Sequence, residues 1–110
     1  MTAFEIPGTR FSGVAAENIE RRVFVKVDSN EEYAKAGDGD KVVGVSMNDP
    51  KAKEVLEIAD GIVMVKAGEA ITAGAEVKPN ASGHAVTASG DGIGIALTTA
   101  KSGGLVTIKL

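Results

Sequence analysis

Short runs of β-branched residues, separated by glycines, constrain the fold of this chain more than any other feature. After residue 67 the breaks fall near Gly68, Gly74, Pro79–Gly83, Gly90 and Gly103-Gly104. Strands of roughly four to eight residues at about ten-residue spacing are typical of β-sandwiches and β-barrels. The sequence therefore predicts an all-β fold, a small single-domain β-sandwich or β-barrel with short, glycine-punctuated strands.

The first half of the chain carries the same signals. Residues 23–28 alternate, with three valines on one side and Phe24, Lys26 and Asp28 on the other, which predicts a half-buried strand. A short strand, a turn over Gly37–Asp40 and a second strand at Val42–Ser46 should follow.

Residues 48–59, NDPKAKEVLEIA, are the ambiguous segment, since they fit either a helix or a strand. Asp60-Gly61 is a strong two-residue turn signal with strand-like residues on both sides. We therefore favour a hairpin that turns at Asp60-Gly61 and joins VLEI to IVMV.

A faint internal echo links Ala36–Ser46 to Ser89–Ala96. In both segments an Asp–Gly turn leads into a strand that contains a glycine. Glycine within a strand marks a close approach of another backbone or a large side chain, which we expect at Gly44 and Gly94. The last twenty-one residues, GDGIGIALTTAKSGGLVTIKL, predict two closing strands with a turn at Lys101–Gly104.

The N-terminal residues 1–13 have no sustained period, and Pro7 removes a backbone donor there. We expect an extended N-terminal arm over residues 1–13 and a single β domain over residues 14–110. Two of the three phenylalanines lie in this arm. Its apolar residues pack either on the domain's own core or on a neighbouring molecule, and the residues proposed for partner contact are Phe4, Ile6, Pro7 and Phe11.

Composition excludes several classes of function. The absence of cysteine removes disulfides, thiolate nucleophiles and cysteine-based zinc sites. The net charge of −3 comes with no basic stripe, which argues against nucleic-acid binding. No apolar stretch approaches the roughly 18 residues of a membrane span, and the first residues lack the apolar core of a signal peptide. Scattered carboxylates and one histidine do not form a catalytic constellation, so we expect no enzyme, metal or cofactor.

Four motifs could indicate a specific binding or modification site. Gly37–Asp40 lacks the later carboxylates of a calcium loop. The GDGIGIA stretch lacks the third glycine and the following helix of a dinucleotide site. His84, the only histidine, is expected in an exposed loop. Lys66, before a glycine turn, leaves one alternative open: a biotinyl- or lipoyl-carrier-like β-barrel module with Lys66 as the modified residue.

The order of several segments resembles the capsid cement, or head decoration, proteins of tailed bacteriophages. The resemblance covers roughly residues 11–110, and its most recognisable parts are VVGVS, AITAGAEVKPNASGHAV and GIALTTAKSGGLVTIKL. It implies a structural virion protein that binds the outer surface of the assembled head and cements neighbouring major capsid subunits. It further implies a homotrimer made in the host cytoplasm, with no catalytic site, small-molecule substrate, nucleic acid or membrane partner.

Overall fold

The computed structural model describes residues 4–110, and it places no helix in that part of the chain. Nine strands form one mixed sheet, which confirms the predicted all-β class. The strands are β1 (Ile6–Ala15), β2 (Phe24–Val27), β3 (Glu32–Lys35), β4 (Gly44–Ser46), β5 (Val55–Lys66), β6 (Glu76–Pro79), β7 (Ala85–Thr87), β8 (Gly94–Ala96) and β9 (Leu105–Lys109).

The strand pairings close two rings that share β5. The order is β1-β3-β2-β4-β5-β9-β8-β6-β7, and β1 also pairs antiparallel with β5. That extra pairing closes the first ring through β1, β3, β2, β4 and β5. A parallel bridge between Ala67 and Ala85 brings β7 back to the end of β5 and closes the second ring. Closure covers strand edges that would otherwise be open to pairing with another chain.

The two rings are two copies of one structural unit. We call residues 4–57 the first unit and residues 58–110 the second unit. Backbone hydrogen bonds of the first unit recur in the second at an offset of 50 to 52 residues. Examples are Arg22 N to Ser46 O (2.8 Å) with Gly74 N to Ala96 O (2.7 Å), Lys53 N to Ala15 O (2.7 Å) with Gly103 N to Ala67 O (2.8 Å), and Glu31 N to Asp28 O (3.1 Å) with Gly83 N to Asn80 O (3.0 Å).

The internal echo in the sequence is one part of this duplication. Gly44 in β4 and Gly94 in β8 occupy equivalent places, opposite β5 and β9. A Cβ atom would lie 2.7 Å from the Ala59 carbonyl oxygen at Gly44, and 2.8 Å from the Lys109 carbonyl oxygen at Gly94. Both distances are shorter than real Cβ contacts, so the predicted close approach of a backbone is confirmed at both glycines.

The hairpin predicted at Asp60-Gly61 is wrong, because β5 runs through both residues without a turn. Residues 48–54 form turns and loop, and the strand begins at Val55. Gly61 does adopt a positive φ of 96°, as the local signal suggested. That conformation serves a bulge opposite Gly8, where the pairing with β1 shifts register between Pro7 and Thr9. Beyond the bulge, the pairing with β1 ends at Ile62, which also begins the pairing of β5 with β9.

The predicted boundary between an arm over residues 1–13 and a domain over residues 14–110 falls inside β1. Residues 6–13 are continuous with Val14 and Ala15, and they pair along β5 from Ile62 back to Leu56. Residues 1–3 of the predicted arm lie outside the described residues. In this structure the segment from residue 6 onward is therefore a strand of the sheet.

Two groups of buried side chains fill the rings, and β2 lies between them. Val23 and Val25 belong to the smaller group with Leu56 and Ile58, whereas Phe24 belongs to the larger one. The half-buried character predicted for β2 is therefore wrong over Phe24 and Val25, because both sides of the strand are covered. Most of the core is valine, isoleucine and alanine, so the packing depends on many small contacts.

Candidate interaction surface

The four residues predicted for partner contact do not share one environment. Ile6 is 62% exposed, whereas Phe11 is half-buried against the smaller core group with its ring centroid 6.1 Å from that of Tyr33. Phe4 is also half-buried, and the side chain of Pro7 lies outside what the structure describes. The structure therefore leaves Ile6 as the exposed apolar member of the set and turns Phe11 toward the domain's own core.

Ile6 begins a row of three isoleucines and one lysine that crosses four strands. It lies opposite Ile62 in β5, which lies opposite Lys109 in β9, which lies opposite Ile95 in β8. Residues directly opposite on paired strands project from the same face of a sheet. We call Ile6, Ile62, Lys109 and Ile95 the isoleucine row. Ile95 is 41% exposed, and a lysine between isoleucines adds the methylene part of its side chain to the apolar surface.

Two hydrogen bonds and one ion pair fix the residues that precede Ile6 in the chain. The Phe4 N–H donates to the Thr107 hydroxyl oxygen at 2.7 Å, and that hydroxyl donates to the Phe4 carbonyl oxygen at 2.8 Å. The Glu5 carboxylate forms a partly buried ion pair with Arg22. These bonds fix the start of β1 on the sheet, so Ile6 is presented from an anchored strand.

The two single-residue candidates, Lys66 and His84, meet at one carboxylate. Lys66 Nζ lies 2.7 Å from Glu20 Oε2, and His84 Nε2 lies 2.7 Å from Glu20 Oε1. The hydrogen bond from Lys66, followed by that from His84, lowers the pKa of Glu20 below its ordinary value of 4.5. Glu20 belongs to the first unit, whereas Lys66 and His84 belong to the second unit. These contacts therefore connect the two units.

Lys66 does not have the geometry of a carrier lysine. A biotinyl or lipoyl lysine is presented at the tip of a hairpin, whereas Lys66 is the last residue of β5 and lies opposite Leu105 of β9. Its ammonium group is engaged by Glu20. The position therefore gives the carrier interpretation no support.

The two Asp–Gly turns also serve the fold. Asp40 accepts a bond from the Gly37 N–H at 2.8 Å and pairs with Lys26, and these contacts, in that order, lower its pKa. Asp91 pairs with Lys78 at 2.9 Å, which lowers the pKa of Asp91 and raises that of Lys78. Among residues 4–110, no group of three or more His, Asp or Glu side chains is placed to hold a metal ion.

An open hollow of about 310 Å³ lies where the units meet. It is lined by Val42, Val43, Asp60, Gly61, Ile93 and Leu110. Val43 and Ile93 are equivalent residues of the two units. Asp60 contributes a carboxylate, which already accepts the Thr9 N–H at 3.0 Å. This mixture of a few apolar side chains and one engaged carboxylate does not assemble an acid, a base and a nucleophile.

Comparison with known proteins decides the family. A family model described as phage cement protein matches residues 8–110. The chain belongs to the phage cement protein family. The resemblance noted in the sequence is thereby confirmed, and it assigns the chain to the structural proteins associated with phage capsids.

A solved structure supports the fold independently of sequence. The head fiber gp8.5 N base of bacteriophage phi29 matches with a TM-score of 0.79 over 93% of this chain and 92% of that chain. The two sequences are 20% identical, so the likeness shows a shared fold. No curated protein matches the sequence. In the described part of the chain, no helix is long and apolar enough to cross a membrane.

Proposed function

We propose that this protein binds the outer surface of the assembled phage head and holds neighbouring major capsid subunits together. Membership of the cement family supports a capsid partner. The observation that carries the proposal is the isoleucine row, whose end members are 62% and 41% exposed on a covered, two-ring fold. Exposed isoleucines at both ends of one row, connected through Ile62 and the aliphatic part of Lys109, form the surface that we assign to this contact.

The protein acts as a structural component and not as an enzyme. Contacts of Glu20 with Lys66 and His84, and of Asp38 with Lys78, brace the two units. The partner is the major capsid protein, with no nucleic acid, membrane or small-molecule substrate. It is made in the host cytoplasm and ends on the outside of the virion. A protein that binds only the assembled head stabilises that state by mass action.

We further propose that the working form is a homotrimer. A single exposed row offers a small contact, and three linked copies raise the effective concentration of each contact after the first has formed. Avidity of this kind gains about 10²–10⁴ in affinity without any new contact. Weak binding per subunit is then sufficient for stable attachment to a lattice of identical capsid subunits.

Replacing Ile6 by lysine tests the contact. The side chain is exposed, so Ile6→Lys should leave the folded state intact while adding a second positive charge to the row that contains Lys109 and removing its most exposed isoleucine. We expect at least about tenfold weaker co-sedimentation with cognate phage heads, which is about 1.4 kcal/mol. The matched control is Ser12→Lys, which puts the same charge at another exposed position of β1. Equal binding by Ile6→Lys and the wild type would exclude the row from the contact.

A further inference from the structure

The hollow at the junction of the two units is lined by pairs of equivalent residues. The ladder between β4 and β5 recurs as the ladder between β8 and β9 at an offset of 50 residues. At this offset Val43 corresponds to Ile93 and Asp60 to Leu110, and all four line the hollow. Asp60 is the only ionisable side chain among the six described residues of the lining. Since leucine occupies the equivalent place after β9, the strand pairing itself does not require a carboxylate there.

The Asp60 carboxylate is only partly engaged within the fold. Its Oδ1 accepts the Thr9 N–H at 3.0 Å, which accounts for one of the two oxygens. No described residue donates a hydrogen bond to Oδ2 or forms an ion pair with Asp60. Asp91, by contrast, is paired with Lys78 at 2.9 Å. Asp60 therefore brings an unneutralised negative charge to the lining of the hollow.

Apolar walls around one carboxylate suit a long cationic side chain. Lysine and arginine lay their methylene groups along apolar surface while the charged end reaches a polar partner. Here the anion is Asp60, and the apolar surface comes from Val42, Val43, Ile93 and Leu110. The volume of about 310 Å³ lies at the lower end of ligand sites, which span about 300–1,000 Å³, so the hollow has room for one such side chain. Opposite charges also attract each other more strongly beside apolar groups than in bulk water.

The hollow and the isoleucine row face in different directions. Leu110 continues the β9 ladder by donating its N–H to the Gly61 carbonyl oxygen at 3.0 Å, and consecutive residues of a strand project to opposite faces. Leu110 and Ile93 accordingly pack against the larger core group, whereas Lys109 and Ile95 of the row are exposed. One flat partner surface would not cover both places. A protein that holds two subunits together needs a contact with each, and the hollow is placed to be the second contact.

We propose that the hollow receives a lysine or arginine side chain of a second capsid subunit, with its charged group on the free carboxylate oxygen of Asp60. This inference rests on the proposed function, to which it adds a second contact and the charge of the partner's residue. The family supports a capsid partner. The net charge of −3 makes another copy of this chain a less favourable source of the cation, because two copies repel each other.

Asp60→Asn removes the charge and keeps an oxygen that can accept the Thr9 N–H, so the variant should stay folded. We expect it to bind cognate heads about tenfold more weakly in co-sedimentation and to depend less steeply on salt than the wild type, because the incoming cation loses its partner. The matched control is Asp28→Asn. Asp28 also accepts a backbone N–H, that of Glu32 at 3.0 Å, and forms no ion pair with a described residue. This control makes the same change in net charge and should bind like the wild type.

Labelling of carboxyl groups tests the same contact in the wild-type protein and needs no variant. Free and head-bound protein are treated with a carbodiimide and glycine ethyl ester, and the modified peptides are measured by mass spectrometry. We expect the labelling of Asp60 to fall in the head-bound protein, because a cation covers its free oxygen. The labelling of Asp28 should be the same in both samples.

The outcomes separate this inference from the proposed function. Weaker binding by Asp60→Asn alone, together with protection of Asp60 and unchanged light scattering of the free protein, supports the cation site. Wild-type binding by Asp60→Asn, an equal loss in both variants, or equal labelling of Asp60 in both samples overturns the site and leaves the proposed function standing. A change in the light scattering of free Asp60→Asn shows that the hollow joins copies of this chain, which also overturns it. A wild-type protein that binds no heads refutes the proposed function itself.

Discussion

At the scale of single residues, the duplication explains where the chain departs from ordinary backbone geometry. Arg22, Glu31 and Lys53 have positive φ angles, and their equivalents in the second unit are Gly74, Gly83 and Gly103, also with positive φ. Residues other than glycine pay about 1–2 kcal/mol for this conformation. The first unit therefore adopts the same left-handed turn conformations as the second unit, although charged residues occupy the positions where the second unit has glycine.

Gly61 is a position at which the fold should not tolerate a side chain. It combines a positive φ of 96° with a position where a Cβ would collide with the Gly8 backbone nitrogen. We expect Gly61→Ala to lower the free energy of unfolding by about 3 kcal/mol or more, from backbone strain and overpacking together. Urea denaturation measures this change.

Gly90→Ala is the matched control for Gly61. Its φ is 87° and nothing lies within 4 Å of the added methyl group, so only the strain of about 1–2 kcal/mol should appear. Equal losses in the two variants would mean that the bulge between β1 and β5 opens to accept a side chain.

The Glu20 cluster predicts a dependence of stability on pH. Because the pKa of Glu20 is lowered in the folded state, its contribution is present above the ordinary value of 4.5 and is lost as the pH falls through the lower, folded value. Glu20→Gln should therefore show a smaller fall in Tm between pH 5 and pH 3 than the wild type, as thermal denaturation would record.

The control for Glu20 is Glu57→Gln, an exposed carboxylate that forms no ion pair with any described residue. This variant should keep the pH dependence of the wild type. If Tm depends on pH in the same way for Glu20→Gln, Glu57→Gln and the wild type, the contacts of Lys66 and His84 with Glu20 do not contribute to stability.

At the scale of elements, β9 shows how the end of the chain completes the second ring. It lies between β5 and β8, and Val106, Thr107 and Ile108 are buried. The turn that we predicted at Lys101–Gly104 is present, closed by a bond from the Gly104 N–H to the Lys101 carbonyl oxygen at 2.9 Å. The GDGIGIALTTAKSGGLVTIKL stretch thus builds two paired strands, as the sequence indicated.

Removal of residues 105–110 should unfold the protein. The deletion takes away the partner of both β5 and β8 together with three buried residues, and each fully buried valine or isoleucine is worth about 1.5–3 kcal/mol. Loss of the β-sheet circular dichroism signal measures the result. The double variant Leu105→Ser/Lys109→Ser, which alters only exposed residues of the strand, should stay folded. A truncated protein with a cooperative thermal transition would contradict this role of β9.

The sequence predicted those strands whose formation depends on residues that are close together in the chain. The β-branched residues around Phe24 and the glycines of β4 and β8 gave correct strands, because strand composition and close backbone approach are visible within a few residues, although the alternation did not predict that Phe24 and Val25 are both buried. The Asp60-Gly61 signal misled, because the same positive φ serves a turn or a bulge, and the choice depends on Gly8 more than fifty residues away. Ring closure through β1, β3 and β5 is likewise a long-range property.

The candidate surface was predictable only in part. Ile6 was named as a partner-contact candidate because it is an apolar residue in a segment without a period, and its contact with a partner stays a prediction. Ile62 and Ile95 join it through strand register, which the sequence does not contain. The duplication of the fold needs the alignment of one unit on the other. A comparison of the chain with itself at an offset of 50 to 52 residues is the signal that would have found it.

At the scale of the whole molecule, the fold is one continuous body in which most of the charged residues lie in the first unit. Its longest dimension is 35 Å, and β5 runs through both rings. Ion pairs between the units, such as Lys78 with Asp38 at 3.3 Å, brace them further. A stiff body loses little entropy on binding, so more of the contact energy would be available for the capsid contact that we propose.

The thermal stability of phage heads with and without this protein tests the central claim most directly. Heads lacking the protein are mixed with wild type, Ile6→Lys or Ser12→Lys, and the temperature at which the shell releases its subunits is measured by light scattering. If the protein cements neighbouring capsid subunits, wild type and Ser12→Lys should raise that temperature by several degrees and Ile6→Lys should raise it less. Heads that bind the wild-type protein yet come apart at an unchanged temperature would contradict the cementing role.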